Sequence, residues 1–151
     1  MRLKSFKTLW LFLMFLSYSC FGKDETKVVI EHNSPIVQGG ALTQDVGIEM
    51  WGGTLNPIIF MGCDLPCTED QMFSTADADQ IDMTIKLVRG TSKYSKDGTY
   101  LGTYKIDGLI PGPEGRTLLN IEFGASQGDL WFSAKDLNGL SRIKITKIAN
   151  K

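Results

Sequence analysis

The sequence predicts an all-β protein: a two-sheet antiparallel β-sandwich of about eight short strands, preceded by a signal peptide. Three observations carry this reading. Apolar residues take every second place in several segments, which buries one face of a strand and wets the other. Asp97-Gly98, Asp107-Gly108 and Asn138-Gly139 separate those segments, and such dipeptides reach positive φ cheaply in tight turns. No amphipathic helical pattern follows residue 22.

Residues 1–22 come first. Arg2, Lys4 and Lys7 make a basic start, residues 9–16 are an apolar run, and small residues follow. The run is too short for a membrane span, which needs about 20 apolar residues, and it suits a cleaved signal better than a buried N-terminal helix. Three exits fit: cleavage after Ser19, cleavage after Gly22, or lipidation of Cys20 as the first residue of a lipoprotein. Ser17 and Tyr18 depart from the usual lipobox at that last exit. Export places the protein in the periplasm or cell envelope. A lipid on Cys20 would be its one membrane contact.

Residues 23–44 read as a charged, partly extended leader with a strand-like Val28, Val29 and Ile30. The sandwich is expected over residues 45–151. Its strand candidates are 46–51, 55–60, 71–74, 81–87, 100–106, 119–123, 130–134 and 143–145. Alternation is plainest at Ile81, Met83, Ile85 and Leu87, and again at Leu119, Ile121 and Phe123. Residues 74–79 read as a loop. Pro111, Gly112, Pro113 and Gly115 exclude regular structure between them.

Charge and residue inventory exclude several functions. The net charge of −1 becomes more negative once the cations of residues 1–22 are removed, which argues against nucleic acid as a partner. His32 is the single histidine, and it lies outside the strand pattern. Three cysteines and one histidine leave no metal cluster. Cys63 and Cys67 are separated by three residues, where a redox motif would have two. In an oxidising compartment they suit a small-loop disulfide; two thiols packed in a connecting loop fit the spacing equally well. The chain has no G-x-S-x-G, no H-E-x-x-H and no P-loop lysine motif. Gly39-Gly40 and Gly52-Gly53 lack the strand–loop–helix context of a phosphate cradle. Asp77 and Asp79 read as solvated loop charges. The residues alone therefore describe an exported, non-enzymatic β-sandwich with no cofactor.

From Asp45 to about Thr146 several words occur in order: Gly47-Ile48-Glu49 with Gly52-Gly53; Gln71-Met72-Phe73-Ser74-Thr75-Ala76; Leu101-Gly102; Ile106-Asp107-Gly108; Pro111-Gly112-Pro113-Glu114-Gly115; and Leu130-Trp131-Phe132-Ser133-Ala134-Lys135-Asp136. This stretch resembles the substrate-binding β-sandwich domain of the seventy-kilodalton heat-shock chaperones (DnaK type). That family module grips an extended peptide at one end of the sandwich, by backbone hydrogen bonds and one hydrophobic pocket.

The resemblance implies a pocket of Ile48, Met50, Phe73, Met83, Ile85 and Leu119. It places Trp51 and Ala76 as the pair arching over the bound chain. Backbone groups around Met50, Ser74 and Ala76, with the Gln80 side chain, would meet the peptide main chain. Unfolded or extended polypeptide segments are the implied partners. Met50 and Met83 stand where the family has smaller β-branched residues, and the cysteine loop has no counterpart there. The resemblance covers neither an ATPase domain nor a helical lid, so binding without nucleotide-driven cycling within this chain is expected. The alternative is a structural or interaction sandwich, with or without a lipid anchor, that has lost the channel.

Overall fold

The computed structural model describes residues 26–30 and 37–149. The expected signal peptide, Cys20 and His32 lie outside these residues. Eleven strands follow in chain order. They are β1 (Thr26–Val29), β2 (Val37–Gln38), β3 (Ala41–Leu42), β4 (Asp45–Met50), β5 (Thr54–Ile59), β6 (Cys67–Ser74), β7 (Asp82–Gly90), β8 (Thr99–Asp107), β9 (Leu118–Ala125), β10 (Leu130–Asp136) and β11 (Lys144–Ile148). A four-stranded sheet has the order β1-β10-β9-β6 and faces a five-stranded sheet of order β11-β8-β7-β4-β5. Strands β2 and β3 form a separate hairpin, and every pairing is antiparallel.

The fold is thus all-β and sandwich-like, as expected, but about eight strands in two sheets is an undercount. The missing pieces are short or polar. β2 and β3 have two residues each, too few for an alternating pattern to show. Their turn is Gly39-Gly40, with φ of 63° and 88°, a conformation that glycine adopts without cost. β1 sits in a charged stretch, yet it pairs along β10 from Thr26↔Ala134 to Val29↔Trp131. A single 3₁₀ turn over Ser95–Asp97 is the one helical piece among the described residues.

Alternation decides the core. Leu119, Ile121, Phe123, Phe132 and Ala134 come from the inner face of the four-stranded sheet. Ile48, Ile85, Leu87, Tyr104 and Ile106 meet them from the other sheet, and Ile30 and Leu42 join the same cluster. Phe132 stacks on Phe123 at 5.7 Å between centroids and takes the edge of Tyr104 at 5.0 Å. Gly47 is fixed by close approach: a Cβ there would lie 2.0 Å from the Asn56 carbonyl oxygen of β5.

At the end away from the β4–β5 turn, Cys63 and Cys67 are joined as a disulfide with Cα atoms 6.4 Å apart. The loop it closes carries the hairpin. Leu42 N–H donates to Cys63 O at 3.0 Å, and Leu65 N–H to Gly40 O at 2.9 Å.

Asp136 organises the β10–β11 connection. Its carboxylate accepts the backbone N–H groups of Asn138 (2.9 Å), Leu140 (3.2 Å) and Ser141 (2.8 Å). Burial pushes this carboxyl up, but hydrogen bonds from Ser141, Asn138 and Leu140 outweigh it and hold the group below its ordinary 3.8. The stabilisation is therefore complete above the unfolded value and is lost as pH falls through the lower folded value. Asp136→Ala is expected to cost about 1–3 kcal/mol at neutral pH. Urea midpoints of the two proteins should converge as the pH drops below 3.8. A gap that stays constant with pH would refute the assignment.

Candidate functional site

Two connections build one end of the sandwich: the β4–β5 turn at residues 51–53 and the β6–β7 connection at residues 75–81. On β4, period two sends Val46, Ile48 and Met50 to the inner face. Ile48 is buried, whereas Met50, at the strand end, is 43% exposed. Trp51 follows on the turn and is fully exposed. On β6 the inner face ends at Phe73, which pairs with Leu119 of β9. Asn56, opposite Ile48, donates to Gln71 Oε1 at 3.0 Å and seams the two sheets just before Phe73.

Nine of the ten residues singled out from the sequence divide into three groups. Ile48, Ile85 and Leu119 are buried at 4% exposure or less and belong to the core. Phe73 and Met83 are half-buried and pack against that core. Met50, Trp51, Ser74 and Ala76 are exposed. The tenth, Gln80, is half-buried and spends its carboxamide inside its own loop. Its Oε1 accepts Ala76 N–H at 2.8 Å and Asp77 N–H at 3.3 Å, and its Nε2 donates to Asp82 O at 2.7 Å. A peptide carbonyl that reaches for the Ala76 N–H competes with Gln80.

Both connections are braced by residues to which the sequence assigned no site role. Glu49 Oε2 accepts Lys86 Nζ at 2.7 Å and the Ser95 hydroxyl, which also lies against Gly53 O. Ser95 N–H donates to the same Gly53 carbonyl at 3.0 Å, and Leu55 N–H donates to Lys93 O. Hydrogen bonds from Lys86 and then Ser95 hold the Glu49 carboxyl below its ordinary range. Residues 93–95 thus buttress the Trp51 turn from outside. On the other side, Thr75 N–H donates to Thr117 O, Gly115 N–H to Thr75 O, and Asp79 N–H to Gly112 O at 2.7 Å. Residues 112–117, rich in glycine and proline, hold the 75–81 connection. Glu49 and Ser95 stand 46 positions apart, so no local pattern could have paired them.

A recess of about 520 Å³ lies elsewhere, on the outer face of the five-stranded sheet, lined by Lys86, Val88, Ser95, Tyr100, Thr103 and Ile148. It meets the braced turn only through Lys86 and Ser95. Among the described residues no group of three or more His, Cys, Asp or Glu could hold a metal ion.

Comparison with known proteins agrees with this geometry. The profile of the Hsp70 protein family matches residues 40–149. The chain is 33% identical to the chaperone protein DnaK of Buchnera aphidicola over 83% of this chain and 23% of that protein. It is 30% identical to the chaperone protein DnaK of Mycoplasmopsis pulmonis over 72% of this chain and 18% of that protein. The chain therefore spans under a quarter of the length of these curated relatives. With the all-β fold and its braced end loops, these matches place the chain in the Hsp70 family, as a domain homologous to the chaperone's substrate-binding region.

Proposed function

We propose that this protein is a non-enzymatic, chaperone-like module that holds extended apolar polypeptide segments, with no ATP coupling within this chain. The observation that carries the reading is apolar surface left open at one end. Trp51 is fully exposed and Met50 is 43% exposed, while Phe73 and Met83 are half-buried against the core. A side chain of the bound segment would enter at Phe73 and Met83. Its backbone would pair with groups around Met50, Ser74 and Ala76, displacing Gln80 from the Ala76 N–H.

Residues 1–22 and the Cys63–Cys67 disulfide support an exported protein in the periplasm or envelope, where such a bond persists. Lipidation at Cys20 would hold it there. Intact mass of the exported protein tests both: a full-length mass rejects export, and an added diacylglycerol establishes the anchor.

The engagement of Gln80 and the packing of Met83 on the core favour a second reading, a structural sandwich whose channel is self-filled. Trp51→Ala separates the two. The side chain touches solvent all round, so stability should move by less than about 0.5 kcal/mol. Dissociation of a labelled Leu-centred heptapeptide should speed several-fold if Trp51 arches over it. Unchanged peptide kinetics in this variant would favour the self-filled channel.

A further inference from the structure

We propose that the β10–β11 connection, with the adjoining end of the four-stranded sheet, docks on an anionic lipid surface. This face lies on the outside of the four-stranded sheet, at the end where Leu118 stands opposite Ser74. Leu137 and Leu140 project from the loop at 45% and 59% exposure. Leu137 N–H donates to Leu118 O at 2.8 Å, which sets Leu137 beside Leu118, itself 38% exposed. Leu118 stands opposite Ser74 and diagonal to Met72, which is 65% exposed. The strand register thus joins four exposed apolar side chains on the outer sheet face and its end loop.

The loop is held rigid. The Asp136 carboxylate turns inward to three of its N–H groups, and Asn138 Nδ2 donates to Arg116 O at 2.9 Å. The leucines are therefore presented by a braced turn.

Charge selects the partner. Lys135, Arg142 and Lys144 flank the loop in sequence, and Arg116 is tied to it through Asn138. Arg116, Arg142 and Lys144 are exposed, and none of the four cations enters an ion pair among the described residues. On this sheet face Asp70 and Glu122 stand opposite each other one row below Met72 and Lys135; on the facing sheet Lys144 stands opposite Asp107, whose carboxylate is held by Lys105 at 2.7 Å. Leucines ringed by unpaired cations suit a bilayer interface, where apolar tips enter and cations meet lipid phosphates.

The chain's own path points the same way. Thr26 pairs with Ala134, and its hydroxyl donates to Ile143 O at 2.9 Å. The polypeptide therefore enters the sandwich beside this loop. Any attachment of the preceding residues to a membrane would keep this end of the sandwich near it.

The test is hydrogen exchange on the full chain with phosphatidylglycerol-containing vesicles and with phosphatidylcholine vesicles. The expected result is slowed exchange at residues 137–142 and 116–118 on the anionic vesicles alone. Leu137→Ser with Leu140→Ser, and separately Arg116→Glu with Arg142→Glu, should each abolish that local protection and weaken vesicle affinity about tenfold. Protection confined to residues before Thr26, equal protection on both vesicle types, or a vesicle-independent dimer lost in the leucine variant would each overturn the proposal. Circular dichroism of the variants confirms folding, since all four sites are on the surface.

Discussion

Met83→Ala is expected to raise the affinity for peptides centred on Leu or Ile by about tenfold, because roughly two ligand methylenes gain burial at about 0.8 kcal/mol each. Met83 is half-buried and packs against the core, opposite Ile106 in the strand register. Its thioether fills space that a smaller side chain would leave to the ligand. Truncation should cost about 1–2 kcal/mol of stability, less than the loss for a fully buried methionine. Met83→Trp is the converse probe: it should abolish peptide binding while the sandwich still folds. Fluorescence anisotropy with a labelled heptapeptide, beside thermal melts, reads both. Stability changes with no change in affinity for either variant would make Met83 structural and sink the channel.

The largest stability effect is expected at Phe132. Its side chain has no exposure and joins both sheets through Phe123 and Tyr104. Phe132→Ala removes the ring, its edge contact and its stack, and the β-strands around it collapse only in part. The cost is about 3–5 kcal/mol, a large share of the ~5–15 kcal/mol typical of a domain. A melting temperature lower by about 10 °C or more should follow. A loss under about 1 kcal/mol would contradict the facing of the two sheets at this layer.

The fold was legible where one face is buried. Ile81, Met83, Ile85 and Leu87, like Leu119, Ile121 and Phe123, announce strands because burial on one side forces period two. The β2–β3 hairpin was not, since two residues per strand carry no period. Gly39-Gly40, which lacks the context of a phosphate cradle, is the turn of this hairpin. β1 was foreshadowed by the strand-like Val28, Val29 and Ile30, but Thr26 and Lys27 dilute the apolar signal and its pairing along β10 has no local signature. At the site, residue identity came through family resemblance, whereas the bonding did not. The capture of Ala76 N–H by Gln80 and the Glu49–Ser95–Gly53 brace depend on how distant loops meet, and neither has a local sequence signature. The charged ring around Leu137 and Leu140 was in plain view as Lys135, Arg142 and Lys144, but its meaning needed the exposure of both leucines and the entry point of β1.

A polypeptide held at this end of the sandwich should leave a footprint on its two connections. Hydrogen exchange across the full chain, with and without a saturating apolar heptapeptide, tests it most directly. Saturable binding is expected, with slowed exchange at residues 49–54 and 74–81, and no such change with a peptide whose central Leu is replaced by Asp. Absence of saturable binding, or protection confined to other parts of the sandwich, would contradict it.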